Sequence, residues 1–314
     1  MVVTMKKKFA LMLAVSMAVG TVLAGCGSAA NDAAQTAAGA EEQADTDSAQ
    51  EAADAAESTD DVTAEGTEET GTDSDTASVD TDLIYAVEAG SAGEAAAQDN
   101  GLQTNVVTSQ ADALMEVAAG TSDAAIIDLL MAGAMIGEGT SYPNLTHTTE
   151  LTTEEYGVGC RKGSDLASYI NAVFGESYAD GTMKETAAVY GVQEALVEQP
   201  ASEFVASAED SDVAYIQEKG NLIIGITEFE PMDYKDESGE WVGFDADMAR
   251  LTAEKLGVEA QFVVIDWDNK IMELESKTID VVWNGMTLTA ETTSAMECTN
   301  AYCNNAQVIV VPAE

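Results

Sequence analysis

The stretch Ile279-Asp280-Val281-Val282-Trp283-Asn284-Gly285-Met286-Thr287-Leu288-Thr289 is the most informative part of this chain. Its β-branched apolar run predicts a buried strand, the small polar residues that follow predict a turn, and Thr289 predicts the start of a helix. In an α/β sheet, ligands bind in the crevice beyond the carboxyl ends of the strands, where backbone groups are open to a solute. The stretch therefore predicts one half of a binding cleft.

Strand and helix patterns alternate on both sides of this stretch. The predicted strands cover 83–87, 103–107, 123–128, 156–160, 222–226, 261–265 and 307–311. The predicted helices cover 90–100, 109–119, 129–136, 166–178, 182–190, 245–256, 267–276 and 289–296. Such alternation is typical of βαβ units with parallel strands. It predicts an α/β fold of two lobes, 82–192 and 216–314, joined by the acidic, weakly patterned crossover 193–215.

The charge of the chain is strongly acidic and unevenly spread. The formal net charge is -45, from 57 acidic and 12 basic side chains, and neither Lys nor Arg occurs between Lys8 and Arg161. Because phosphate binding needs a basic face, nucleic acid is excluded as a partner. Residues 26–81 are mostly Ala, Glu, Asp, Ser, Thr and Gly. They have too little apolar surface to offset the entropy of ordering, so we expect a disordered acidic tether.

The first residues have the pattern of an export signal. Lys6-Lys7-Lys8 precedes an apolar run over 9–23, and Leu23-Ala24-Gly25-Cys26 follows. This predicts a secretory signal peptide over 1–25, and the run is short for a membrane span. Leu-Ala-Gly-Cys resembles the lipobox of bacterial lipoproteins, which implies that Cys26 is lipidated and anchors the protein at the extracytoplasmic face of the cell membrane. The alternative is a plain signal peptide with a chance cysteine.

Cysteine and histidine usage gives no sign of a cofactor. Cys160, Cys298 and Cys303 are too few for a disulfide framework, and the Cys298/Cys303 spacing suits neither a zinc site nor a CxxC redox pair. We expect ordinary, mostly buried residues, with a redox state that the sequence leaves open. His147 is the sole histidine, without the partners of a triad or a metal site. We therefore expect no catalytic residue, no metal and no cofactor.

Two groups of motifs together resemble one known family. The later lobe contributes 224–231, 239–247, 256–258, 266–268 and 280–289; the earlier lobe contributes 89–91, 122–128, 156–158, 161–163 and 180–182. Each motif alone is weak, but their joint order and spacing within each lobe is similar to that of amino-acid-type solute-binding proteins of ABC transporters. That family has the type 2 periplasmic-binding-protein fold. The resemblance covers nearly all the chain beyond the tether, and it implies two α/β lobes that close on a small polar solute like a hinged clamp.

The two lobes stand in the reverse of the family order. The lobe containing Asp280 comes first in the family, and its last strand, here 307–311, leads through a hinge into the lobe that begins like Leu83. The resemblance thus implies a circular permutation cut at that hinge, which is tolerated where chain ends are exposed and close together. The alternative is lobe exchange in a domain-swapped dimer. We expect a monomer in which the crossover 193–215 is the only covalent link between the lobes.

Several ligand-binding roles follow from the resemblance in the later lobe. Phe229 matches the aromatic residue that covers the ligand, and Gly285 and Thr287 match positions that offer backbone and hydroxyl groups. The alternatives are a core aromatic residue and a structural threonine. Three further aromatic residues line the cleft or pack in the core: Trp267, Trp283 and Tyr302.

The earlier lobe supplies three more candidate ligand-binding residues. Ser91 and Ala92 lie at a predicted helix N-terminus, where free N–H groups and the helix dipole suit a carboxylate. Ordinary N-capping by Ser91 is the alternative, and both can hold. Asp128 ends an apolar strand, where an unpaired carboxylate is costly to bury. The resemblance implies that Asp128 pairs with the α-ammonium of the ligand; the alternative is a solvated aspartate at the end of a strand.

Thr292 is the main departure from the family pattern. The family carries an Arg there, as a bidentate clamp on the α-carboxylate, and a hydroxyl cannot replace a two-donor cation. Arg250 lies on a helix predicted to face elsewhere. Either N–H groups and hydroxyls, Thr292 among them, hold the carboxylate, or the ligand is a different compound.

Three functions remain open from the sequence. The first, which we favour, is a lipid-anchored receptor that passes an amino acid or a related solute to an ABC-transporter permease. The second is a sensory or scaffold homologue with a degenerate site, suggested by Thr292. The third is a dehydratase-like enzyme on the same fold, which would use cleft carboxylates such as Glu228 and Glu230. Without a nucleophile–base pair or a metal cluster, we expect no enzymatic activity.

Overall fold

A computed structural model describes residues 79–207 and 209–314. The predicted signal peptide 1–25, the predicted lipidation site Cys26 and the predicted tether up to residue 78 lie outside the described residues. The strands are β1 Ile84–Glu88, β2 Gln103–Val107, β3 Ala124–Asp128, β4 Leu145–Glu150, β5 Glu154–Cys160, β6 Asn221–Ile226, β7 Tyr234–Lys235, β8 Trp241–Val242, β9 Glu259–Val264, β10 Val281–Thr287, β11 Glu297–Cys298, β12 Cys303–Asn305 and β13 Gln307–Pro312. The helices are α1 Ala92–Asp99, α2 Gln110–Ala119, α3 Leu129–Met135, α4 Leu166–Asp180, α5 Thr182–Tyr190, α6 Asp212–Lys219, α7 Phe244–Leu256, α8 Lys270–Glu275 and α9 Ala290–Ala295, and a 3-10 turn covers Trp267–Asn269.

The first of two lobes, here called the small lobe, is built on a five-stranded sheet in the order β2-β1-β3-β13-β4. β1 runs parallel to β2 and β3, whereas β13 runs antiparallel to β3 and β4. Every residue of β3 is buried, because the strand is central in the sheet and α1 and α2 both pack against it. The carboxyl ends of β1 and β3 therefore lie together at one edge of the sheet.

The second lobe, here called the large lobe, contains a six-stranded sheet in the order β11-β5-β10-β6-β9, with β12 also paired to β5. β6 runs parallel to β9 and β10, and β5 runs antiparallel to β10. Apolar residues of α7 and of the buried strands β6 and β10 form the centre of its core. The α/β class and the two-lobed division predicted from the sequence are confirmed.

The chain passes between the lobes twice, once at 151–153 and once at Ala306. The two crossing segments are bonded to each other: the Leu151 N–H donates to the Gln307 carbonyl at 2.7 Å, and the Gln307 N–H donates to Thr152 Oγ1 at 2.9 Å. A paired, two-segment link of this kind constrains the relative motion of the lobes to a hinge.

This topology corrects the predicted lobe boundaries. The segment expected as the crossover, 193–215, stays on the large lobe, where the Val197 N–H donates to Tyr302 O at 2.9 Å and the Asn304 N–H donates to Ala195 O at 2.8 Å. β5, α4 and α5 also belong to the large lobe, although the sequence grouped them with 82–192. β13 already lies within the small lobe, so the described fold ends beyond the hinge and not at it. The alternation of strands and helices cannot reveal which sheet a strand joins, since pairing is non-local.

Two local predictions also differ from the structure. The turn expected after Trp283 is instead a continuation of β10 to Thr287. Val282 pairs with Gly159 and Met286 with Gly157, so the strand is bulged between them. Gly285, with a φ of 55°, supplies the bulge, and a glycine of this kind marks a bulge as readily as a turn. The second difference is a set of elements that were not predicted: the edge strand β4, whose residues are mostly polar, the helix α6, and the strands β7, β8, β11 and β12, which have only two or three residues each.

Candidate functional site

A cavity of about 230 Å³ lies between the two lobes, at the edge where the parallel strands end. All seven residues that the sequence suggested for ligand binding contribute to its wall. From the small lobe the wall includes Glu88, Gly90, Ser91, Ala92, Ala95, Gln110 and Asp128. From the large lobe it includes Phe229, Trp267, Lys270, Asn284, Gly285, Met286, Thr287, Thr289, Ala290, Glu291 and Thr292. The volume lies below the range of pockets for drug-sized compounds, which fits a small metabolite.

Ser91 and Ala92 present the N-terminus of α1 to the cavity. The Ser91 hydroxyl accepts the Glu94 N–H at 3.1 Å, so Ser91 is the N-cap. Glu94 reaches back and accepts the Gly90 N–H at 2.7 Å, which closes the turn. Ala92 is the first helical residue, and amides at such a position lack an intrahelical acceptor. The turn thus offers a partial positive charge to an anion on the cavity side.

Phe229, Gly285 and Thr287 meet on the opposite wall. The Phe229 ring is buried and packs edge-to-face on Tyr156, with centroids 6.3 Å apart, so it serves both the core and the cavity. A Cβ on Gly285 would come within 2.5 Å of Phe229 Cε1, which explains why glycine occupies the bulge. The Thr287 hydroxyl donates to Glu154 Oε2 at 3.0 Å and so ties β10 to β5.

Thr292 is a helix-capping residue. Its hydroxyl accepts the Thr289 N–H at 2.8 Å and donates to Thr287 O at 3.0 Å, while its own N–H donates to Thr289 Oγ1 at 3.1 Å. This capping box at the start of α9 uses the hydroxyl fully. Thr292 borders the cavity but supplies neither a charge nor a spare hydroxyl proton for a ligand.

Asp128 is buried, with 4% of its surface exposed, which rules out the alternative of a solvated aspartate at the end of a strand. Its Oδ1 accepts from Tyr156 Oη at 2.6 Å, from Gln307 Nε2 at 3.0 Å and from Asn305. Its Oδ2 accepts from Gln110. Burial and the charge of Glu154 raise the pKa of Asp128 to about 7, although these hydrogen bonds favour the charged form. Since Oδ2 has one protein donor only, it retains a lone pair for a ligand.

Sequence reasoning missed Glu88. This residue ends β1 as Asp128 ends β3, and it is 2% exposed. Its Oε1 is buried without a hydrogen-bond partner among the described residues. Burial and the charge of Asp128 raise the pKa of Glu88 to about 8. An acidic residue directly after an apolar strand was the signal that could have found it.

Sequence reasoning also missed Lys270, at the start of α8. Its Nζ donates to Gly90 O of the small lobe at 2.8 Å and to Trp267 O at 3.2 Å, and lies 5.0 Å from the centroid of the Trp267 ring. Burial lowers the pKa of Lys270, against the opposing effect of the charges of Glu291 and Glu88. Within 79–207 and 209–314, it is the single basic residue that lines the cavity. A cavity cation is therefore present, at position 270 and not at 292.

A second layer of polar residues holds the β10 wall. The Asn284 amide donates to Thr227 O at 3.0 Å and to Asp233 Oδ2 at 2.8 Å. Asp245 Oδ2 accepts both the Gly285 N–H and the Tyr302 hydroxyl at 2.7 Å, which fixes the bulge. Burial raises the pKa of Asp245 to about 7.

Of the remaining residues singled out in the sequence, Trp267 alone belongs to the cavity wall within the described part of the chain. Trp267 lines the cavity, whereas Trp283 packs on Phe174 at 5.6 Å between ring centroids, and Tyr302 is buried beside it. His147 lies in β4, opposite Val310. The cysteines of the described part of the chain are free, with Cys160 and Cys303 buried and Cys298 half-buried.

Comparisons with known proteins find similarity over part of the chain. Residues 222–314 match the family model of bacterial extracellular solute-binding proteins, family 3. The L-cystine-binding protein TcyJ of Escherichia coli strain K12 is 33% identical over 85 residues, which cover 27% of this chain and 32% of the relative. The arginine-binding extracellular protein ArtP of Bacillus subtilis strain 168 is 34% identical over 93 residues, 29% of this chain and 36% of the relative.

One relative carries an enzyme's name. The cyclohexadienyl dehydratase of Pseudomonas aeruginosa is 32% identical over 85 residues, 27% of this chain and 32% of the relative.

No helix in 79–207 or 209–314 has both the length and the apolar character needed to span a bilayer. The chain spans about a third of the length of the curated relatives it matches, and its match to the family model is confined to residues 222–314.

Proposed function

We propose that this protein is the extracytoplasmic receptor of an ABC-type uptake system and binds an amino acid between its lobes. The observation that carries the proposal is the polarity of the cavity wall. Asp128 and the N-terminus of α1 come from one lobe, and Lys270 borders the same small space from the other. Opposite charges on facing walls suit a zwitterion, and two lobes that each hold part of a ligand close on it.

The polar groups suggest how a zwitterion is held. Asp128 Oδ2 accepts from the α-ammonium, as the family resemblance implies. The α-carboxylate lies at the N-terminus of α1 and beside Lys270, whose ammonium has three protons and uses two of them on Gly90 and Trp267. Lys270 thus supplies the positive charge that the family places at position 292. The aromatic rings of Phe229 and Trp267 cover the apolar part of the ligand.

The order of the lobes supports a circular permutation. Because β13 runs antiparallel to β3, and β1 runs parallel to β3, the end of β13 and the start of β1 lie at the same edge of one sheet. Only β3 lies between β1 and β13, so at the usual spacing of neighbouring strands these two ends are roughly 10 Å apart. A short loop would restore the family order. On this basis the protein is a permuted monomer, and exchange of lobes between two chains is not needed to complete the cavity.

The membrane side of the proposal rests on the sequence alone. Cleavage before Cys26 and lipidation of its sulfur would fix the protein to the outer face of the cell membrane. The acidic residues up to 81 would then act as a tether, extended by repulsion between like charges. A tethered receptor stays close to the permease that accepts its solute.

Thermal unfolding of the full chain with each of the twenty amino acids tests this function. An amino acid at 100 times its Kd should stabilise the protein by about 2.7 kcal/mol. The Lys270→Met variant should lose this stabilisation by amino acid. The Lys184→Met variant, which changes an exposed lysine on α5, should keep it. If none of the twenty amino acids raised the melting temperature, the proposal would be overturned and a sensory or scaffold role would be favoured.

A dehydratase is the second candidate, because one relative bears that name and because Glu88 is a buried carboxyl group with a pKa raised to about 8. Such a group is protonated near neutral pH and can act as a general acid. Consumption of a ligand during prolonged incubation, followed by mass spectrometry, would support the enzyme. An unchanged ligand supports the receptor.

A further inference from the structure

The charges around the cavity are unbalanced. Two buried carboxylates, Glu88 and Asp128, border it together with the more exposed Glu291 at its rim. Within the part of the chain that the structure describes, Lys270 is the one basic residue on this wall. A zwitterion brings one charge of each sign, so it leaves this excess of acidic over basic side chains unmatched.

The two buried carboxylates differ in how they are satisfied. Asp128 accepts from the side chains of Tyr156, Asn305, Gln307 and Gln110. Glu88 Oε1, by contrast, has no donor among residues 79–207 and 209–314. A buried oxygen of this kind costs free energy until something donates to it.

Three polar side chains near Glu88 direct hydrogen bonds to other acceptors, although burial and these neighbours together still leave its pKa raised. The Thr227 hydroxyl donates its proton to Asn284 Oδ1 at 2.7 Å, and the Gln110 amide donates to Asp128. Lys270 directs its two hydrogen bonds to carbonyl oxygens of Gly90 and Trp267. A ligand in the cavity can supply the donor that Glu88 Oε1 lacks among the described residues.

We propose that Glu88 is the specificity-determining residue of the site and that it accepts from a second basic group on the ligand. The ligand is then an amino acid with a cationic side chain: its α-ammonium meets Asp128, its α-carboxylate meets Lys270, and its side-chain cation meets Glu88. This assignment rests on the proposed receptor function. It also accounts for the excess of acidic side chains, because a cationic group beside Glu88 favours the charged form of its carboxyl group and offsets that charge.

Calorimetric titration of the full chain with two matched ligand pairs tests the assignment. The pairs are L-lysine with L-norleucine, and L-arginine with L-citrulline, in which the neutral member keeps the shape but loses the charge. In at least one pair the basic member should bind at least about tenfold more tightly. Glu88→Gln should remove that preference while the affinity for the neutral member changes less than about threefold.

Two controls separate this assignment from folding defects and from the receptor function. Glu254→Gln makes the same substitution at an exposed position of α7 and should leave the preference intact. Glu88→Gln should melt no lower than the unchanged protein without ligand, since it replaces an unpaired buried carboxyl group. Binding of neutral amino acids with no preference for basic ones would overturn the role of Glu88 and leave the receptor standing. Binding of no amino acid at all would overturn both.

Discussion

At the scale of single residues, burial decides which carboxyl groups matter. Glu88, Asp128 and Asp245 are almost fully buried, and burial raises the pKa of each, to about 8, about 7 and about 7. Desolvation disfavours the charged form, and the available hydrogen bonds offset this in part only. Burying these groups costs stability, which the proposed cationic ligand would recover in part.

These raised pKa values predict how stability depends on pH. The ordinary pKa of such groups is near 4, so between about pH 4 and pH 8 the folded ligand-free protein binds more protons than the unfolded chain. The free energy of unfolding should therefore fall as the pH rises from 5 to 8, by at least about 1 kcal/mol. Urea denaturation at the two pH values measures it. A free energy of unfolding that rises over this range would contradict the assignment of these groups.

Asp128→Ala should abolish stabilisation by ligand, because it removes the acceptor for the α-ammonium. It also leaves four side-chain donors without their acceptor, so we expect a loss of about 1–3 kcal/mol in the free energy of unfolding. Asp99→Ala, an exposed change at the end of α1, is the matched control. Calorimetry and urea denaturation measure both quantities. Unchanged ligand affinity in Asp128→Ala would remove Asp128 from the site.

At the scale of elements, the sequence located most strands and helices, because buried runs and capping residues are local signals. It could not assign β5 to its sheet or show that the predicted crossover 193–215 stays on the large lobe, because both depend on partners far along the chain. Position 292 shows the same limit for the site. The absence of Arg at 292 follows from the sequence, but the presence of Lys270 at the cavity depends on the packing of α8 against the small lobe.

The bulge of β10 can be tested by adding a single methyl group. Gly285→Ala would place Cβ 2.5 Å from Phe229 Cε1 and 3.1 Å from Tyr156 Cε2, at a φ of 55°. We expect a loss of about 1–3 kcal/mol in stability and weaker ligand binding, because both the backbone and the Phe229 ring are strained. Gly133→Ala in α3, where no atom lies within 4 Å of the added Cβ, should be neutral or stabilising. Equal melting temperatures for the two variants would show that β10 has another geometry.

At the scale of the whole molecule, two lobes are joined by a hinge of two paired segments. A reordered chain that runs 209–314, a short Gly/Ser linker and then 80–207 should fold, because the linker joins ends at the same edge of the small-lobe sheet. We expect a monomer with the ligand preference of the parent, checked by light scattering and calorimetry. Dimers in both chain orders, with each cavity shared between two copies, would support lobe exchange instead.

A crystal structure of the protein, grown with the amino acid that stabilises it most, tests the central claim directly. The account predicts that the amino acid lies between the lobes, with its ammonium on Asp128 and its carboxylate beside Lys270 and the N-terminus of α1. An empty cavity at saturating amino acid, or a ligand bound on the surface of one lobe alone, would contradict it.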